Sequence, residues 1–166
     1  MEIRGPFDGD IRTTRVSLED HPATPLAESP RRVVVRCPTT VLGRTRLEVQ
    51  EGRVSRSGPF RNLAVTVRLT KPALQAGEKT ILEVVVHGLE DLEAPLPLRL
   101  VSLTPDAAQL ERGPVQQLTI HPREVQGGGV YPWVGTLVGV QPAPIELEVQ
   151  LEGARPREKL SPAAAR

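Results

Sequence analysis

The sequence predicts an all-β protein made of two β-sandwich modules, the N-terminal one short. Three observations carry that reading. Short apolar runs alternate with polar residues at a period of two, the signature of half-buried strands. Turn formers punctuate the runs, with 17 prolines and 14 glycines among 166 residues. No segment shows the 3.6-residue period of an amphipathic helix.

Residues 1–55 hold the first set of expected strands: TRVSL, TPLAE, RRVVVR and TRLEVQ. In RRVVVRC, Val33, Val35 and Cys37 share one face, and Arg32, Val34 and Arg36 share the other. Pro38 ends this strand. Cys37 is the chain's single cysteine, so it makes no intrachain disulfide and offers no metal-ligand spacing. Its place beside two valines makes it an expected core residue rather than a nucleophile, since no neighbouring base would activate the thiol. Ser, Gly and Pro then interrupt the alternation in RVSRSGPF. The expected module boundary lies there, with residues 56–60 as linker.

Residues 61–152 supply the second set. In NLAVTVRLT, Leu63, Val65, Val67 and Leu69 face one way. KTILEVVVHG is apolar on both faces and reads as a central strand. LPLRLVSL, QQLTIHP and YPWVGTLVGV follow, with a short extra strand near AQLERG. PIELEVQLE closes the set, with Ile145, Leu147, Val149 and Leu151 inward. Six or seven strands at this spacing predict an immunoglobulin-like sandwich. The GGG at 127–129 precedes a strand rather than a helix, so it reads as a hairpin turn, not a phosphate cradle. Residues 153–166 are expected to be a mobile tail.

Composition narrows function. The net charge is +1, and only four aromatics occur: Phe7, Phe60, Tyr131 and Trp133. A weak global field and few stacking platforms argue against nucleic acid as partner. No apolar run is long enough to span a membrane, so no membrane insertion is expected. The N-terminus lacks a basic region followed by an apolar core, so no signal peptide is read here, which allows assembly in the cytoplasm. Charge is uneven along the chain. Residues 1–60 carry 10 Arg against 8 acids, and residues 61–152 carry 7 basic against 11 acidic residues.

The first module resembles an IPT/TIG domain. The resemblance rests on Ile3, Gly5 and Phe7, then TRVSL, then Ser29, Val33, Val35, Pro38, Gly43, Leu47 and Val49. It covers about a third of the chain and implies an immunoglobulin-like fold. Such domains usually open with one further strand, so the resemblance implies an open sheet edge at the front of this module. The run KPALQAGEKTILEVVVHGL with the late GTLVGV resembles bacterial immunoglobulin-like repeats of surface and appendage proteins. Modules of these kinds mostly serve as spacers, adhesive tips or docking units.

Residue chemistry offers several candidate sites. His21, His87 and His121 lie far apart and lack ligand-type partners. No P-loop, G-x-S-x-G, H-E-x-x-H or dinucleotide fingerprint occurs. Asp8 and Asp10 in FDGD form the best metal candidate: two carboxylates in a Gly turn suit calcium, with Glu19 or Asp20 as added donors. Asx-turn chemistry also explains the pair, and no metal or other cofactor is assigned. Arg31, Arg32, Arg36, Arg44 and Arg46 read as one basic hairpin, with Arg4 at the module's front. They form either an interaction surface or a solvated sheet face with Glu28, Glu48 and Glu51 as cross-strand partners. Tyr131 and Trp133 share a strand face and read as core anchors; exposed rings would instead indicate glycan binding.

The sequence therefore points to a non-catalytic structural or docking subunit of a surface structure or a large phage-like or appendage assembly. It would act through contacts with other protein subunits, in an oligomeric assembly at a cell surface, appendage or virion-like particle. The alternative is a ligand- or glycan-binding adhesion module. An enzyme is not expected, because no constellation of base, nucleophile and metal ligand is present.

Overall fold

The computed structural model describes residues 1–71 and 73–150, and the backbone of 151 and 161–162. The chain is an all-β sandwich protein whose strands all pair antiparallel. It divides into two units, the first built on Met1–Asn62 and the second beginning at Leu63.

Unit 1 holds β1 (Glu2–Arg4), β2 (Thr14–Leu18), β3 (His21–Ser29), β4 (Arg32–Arg36), β5 (Gly43–Glu51) and β6 (Val54–Asn62). These form one sheet in the order β1-β4-β3-β2-β5-β6, extended beyond β6 by residues 161–162. Strand β3 makes the sheet curl. Its first residues, His21–Ala23, pair with β2, while Thr24–Ser29 pair with β4. The register shifts between Pro25 and Ala27. A bulge there bends the strand and leaves Leu26 half-exposed on the outside. Glu19 and Asp20, at φ 45° and 66°, make the tight β2–β3 turn, since two left-handed residues match the strand twist. The core is Ile3, Val16, Leu18, Ala23, Val33, Val35, Leu47 and Val49. All alternate on the inward face of their strands, as in Gly43–Thr45–Leu47–Val49 of β5.

The residues expected as a linker are strand. Residues 56–60 lie inside β6, which pairs with β5 from Gly43↔Asn62 to Glu51↔Val54. The unit boundary falls between Asn62 and Leu63. Among the described residues, 161–162 alone lie beyond β6, so β6 is essentially an edge strand, where a proline and a glycine are tolerated. Its side chains are half-buried on both faces, which removes the alternation that marks a strand in sequence. The remaining tail lies outside the described residues, apart from β14 (Ser161–Pro162), which pairs with Ser57 and Arg56 of β6.

Unit 2 holds β7 (Ala64–Leu69), β8 (Lys79–His87), β9 (Leu96–Ser102), β10 (Ala108–Leu110), β11 (Val115–Ile120), β12 (Val130–Gly139) and β13 (Leu147–Leu151). A four-stranded sheet, β10-β12-β8-β7, and a three-stranded sheet, β11-β9-β13, enclose one core. Leu82, Val84 and Val86 of β8 meet Leu98 and Leu100 of β9, Ile120 of β11 and Leu137 of β12 in it. Burying each such side chain is worth about 1.5–3 kcal/mol. Two glycines of β12 allow close packing. A Cβ on Gly139 would strike the Gln75 carbonyl, and one on Gly135 would strike the Trp133 indole, which lies across it.

Candidate functional site

Three segments of unit 1 bring carboxylates together. Asp8 comes from the β1–β2 loop, Glu28 from β3 and Glu51 from the end of β5. One ligand oxygen from each lies within 4.8 Å of the others. Sheet register explains the convergence. Thr14 opens β2 opposite Glu51, and its hydroxyl donates to Glu28 Oε1 at 3.0 Å. The loop just before Thr14 is folded by its own aspartates. Asp8 Oδ1 accepts from the Asp10 amide at 2.7 Å, and Oδ2 accepts from the Thr13 hydroxyl at 2.6 Å. The Asp8 amide donates to Glu51 Oε1.

These bonds hold the Asp8 carboxyl below the usual carboxylate range, the Thr13 hydroxyl first and the Asp10 amide second. Glu28 Oε2 is different. It has less than 1 Å² of accessible surface and no hydrogen-bond partner among the described residues.

The structure thus separates Asp10 from the carboxylates that converge on Asp8. Asp10 turns to Arg12, accepting from its side chain at 3.0 Å, and that pairing lowers the Asp10 carboxyl. Glu19 and Asp20, named as added donors, instead make the β2–β3 turn. Glu28 and Glu51 were expected as arginine partners and stand with Asp8.

The arginines do not form one hairpin. Strands β4 and β5 are consecutive in the chain but lie apart in the sheet, with β3 and β2 between them. Arg4 and Arg32 face each other across β1 and β4, and both reach Glu2, at 2.7 and 3.5 Å. Arg31 and Arg36 are exposed at either end of β4. Arg44 and Arg46 lie on β5, where Arg46 donates to Ser57 at 2.8 Å. Glu48 accepts from Ser55 at 2.7 Å. The expected basic hairpin is therefore two separate groups, because sequential strands need not be sheet neighbours.

Cys37 is half-buried beside the unit 1 core, at the end of the face shared by the fully buried Val33 and Val35. Its Sγ lies 3.9 Å from Met1 Sδ. Burial pushes the thiol pKa up, partly offset by the nearby terminal ammonium. Tyr131 and Trp133 face inward opposite Val86 and Val84, half-buried and packed against the unit 2 core. Burial, then the charge of Glu124, raises the Tyr131 phenol.

The outer face of β8 and β12 is apolar at its centre. Ile81 is 50% exposed and Val134 63% exposed. They are diagonal neighbours, since Ile81 pairs with Thr136 and Val134 with Glu83. In unit 1 a shallow open groove runs along Thr14, Ser17, Pro22, Pro25, Glu48 and Gln50. Among the described residues, no helix is long and apolar enough to cross a membrane.

No family model matches the chain, and no curated protein matches it. A crystal structure of domains 4 and 5 of the S-layer protein SbsC is similar to it at 12% identity and a TM-score of 0.32, covering 92% of this chain and 74% of that one.

Proposed function

We propose that the chain is a non-catalytic structural or docking subunit that acts through contacts with other protein subunits. In the finer form of this reading, both units are immunoglobulin-like, unit 1 is of IPT/TIG type, and the assembly is a surface structure, an appendage or a phage-like particle. The observation that carries the proposal is the outward apolar pair Ile81 and Val134 on an ordered sheet face. Water-facing apolar side chains at the centre of a sheet face suit a protein contact. Open strands at the sheet ends offer further pairing surface. The inward packing of Tyr131 and Trp133 favours a scaffold over glycan recognition, which would need a ring free to stack.

Sedimentation of the full chain over a range of concentrations tests this, with Ile81→Lys and Val134→Lys beside it. Self-association that both variants weaken is the expected result. A chain that stays monomeric at high concentration, and whose Trp133 fluorescence responds to added oligosaccharide, would establish the adhesion-module reading instead.

A further inference from the structure

We propose that the open edge of β7 pairs antiparallel with the open edge of β13 in a second copy of the chain, and the reverse, giving a two-fold dimer through unit 2. This contact rests on the reading of the chain as a docking subunit and names the partner as another copy. Among the described residues, β7 and β13 each have one side without a neighbouring strand. Strand β10 lies against β9 and β11, so β7 and β13 form the opposite margin of the sandwich. Hydrogen-bond phase fixes what these edges present. The Thr70 amide donates to the Ile81 carbonyl, so Thr66 and Arg68 bond β8 in the same register. Val65, Val67 and Leu69 therefore turn their N–H and C=O outward. The Leu103 amide donates to the Glu146 carbonyl, so Glu148 and Gln150 bond β9, and Leu147 and Val149 turn theirs outward.

The same margin is apolar and only partly covered. Val67 pairs with the fully buried Val84 yet is 39% exposed. Val65, Leu69, Leu147 and Val149 are half-buried, whereas Ala108 and Leu110 on β10, at the other margin, are buried. Neither β7 nor β13 carries a proline, an inward charge or a bulge, the devices that close natural edges. The two edges also fit each other. Bonded residues of an antiparallel pair share a face, so a partner strand needs outward backbone and apolar side chains on the same residues. Both edges have that phase. With Val67 opposite Val149 of the second copy, Leu69 faces Leu147, Thr66 faces Gln150 and Arg68 faces Glu148. Exposed Arg68 then stands between Glu83 of its own β8 and Glu148 of the second copy. Pairing β7 with β7 gives no such charge match. The chain's own residues 152–166 suit the edge poorly, since Leu160 is their one branched aliphatic side chain. Because both edges lie at one margin, a two-fold axis closes two identical ladders.

The experiment is sedimentation of the full chain over a range of concentrations, with Arg68→Glu, Glu148→Arg and the double swap beside it. The expected result is a dimer that each single substitution weakens about tenfold, because each acts in both ladders. The double swap should return the Kd to within about threefold of wild type, as a coupled pair does. Val67→Pro removes one outward N–H and leaves the bonds of Thr66 and Arg68 to β8, so it should abolish the dimer. Arg68→Glu also meets Glu83 within its own chain. Glu148→Arg carries no such cost, since it faces Val101, and it decides where the first variant fails to fold.

A chain that stays monomeric at high concentration overturns the proposal. So does a dimer that both single substitutions leave intact, or one that the double swap does not restore. Association lost in Ile81→Lys and Val134→Lys but kept in the edge variants leaves the docking function standing and overturns the edge pairing. The opposite pattern supports the edge pairing and removes the apolar face as the contact.

Discussion

The two units are both antiparallel and valine-rich, yet they are held together differently. Unit 2 closes two sheets over a continuous apolar core in which Leu82, Leu89, Leu98, Leu110, Ile120 and Leu137 are all fully buried. Unit 1 curls a single sheet about a smaller, shorter-chain core, where Leu18, Val33 and Val35 are the large fully buried side chains. Its remaining order is polar. Asn62 bridges the carbonyls of Pro38 and Val41, and aspartates organise the Asp8–Thr13 loop. A sheet that must bend to cover itself leaves less apolar area to bury. Hydrogen bonds within the bend then take a larger share of the stabilisation, and each is worth about 1 kcal/mol net.

The largest test of that contrast is in the cores. Leu137→Ala in unit 2 should cost about 4–5 kcal/mol, and Leu18→Ala in unit 1 about 2–3 kcal/mol. Urea denaturation with a probe in each unit measures both. Equal losses would mean that the smaller core is as tightly packed as the larger.

Thr45 probes the polar side of the comparison. It faces inward on β5, 5% exposed, and its hydroxyl has no hydrogen-bond partner among the described residues. Thr45→Val keeps the shape and removes the orphan, so unit 1 should gain about 1 kcal/mol. A loss of stability would show that the hydroxyl is satisfied in solution.

Cys37 tests how closed the unit 1 core is at its margin. A half-buried thiol whose pKa is raised by burial carries little thiolate at neutral pH. Labelling with a thiol reagent should be slow in native buffer and complete in denaturant. Rapid stoichiometric native labelling would mean that the end of β4 opens readily. Cys37→Ser should cost about 1 kcal/mol.

The smallest expected effect is on acid sensitivity. Arg4 lowers Glu2, the Thr13 hydroxyl lowers Asp8 and Arg12 lowers Asp10, all in unit 1; in unit 2, Lys71 lowers Glu78. A carboxylate with a depressed folded-state pKa contributes stability above its unfolded value of about 4, and that contribution is lost as pH falls through the folded value. Glu2 and Asp8 are exposed and Asp10 and Glu78 only half-buried, so the effect is small and screened by salt. Unit 1 should nonetheless lose stability before unit 2 as pH drops below about 4, measurable as separate shifts in Tm. Simultaneous loss would remove this electrostatic distinction.

By itself, the sequence determined the class and most of the strands. Alternation at period two is a local property, and it marked β2, β4, β5, β7 and β13 because each has one face against a core, while β8 stood out as a run apolar on both faces. It also placed Val33 and Val35 on a buried face and Tyr131 with Trp133 on one side of a strand. Strand β6 escaped because an edge strand with Gly58 and Pro59 and half-buried side chains on both faces has no period to read. Tertiary structure alone decided which strands are neighbours. Inserting β3 and β2 between β4 and β5 split the arginines into two groups. Placing Glu51 beside Thr14 brought it to Asp8 across forty-three residues of chain. Sequence spacing favoured Asp10 as the partner of Asp8, but a neighbour two residues away is drawn into the turn's own hydrogen bonds. The carboxylates that do converge on Asp8 came instead from strands whose register no local pattern specifies.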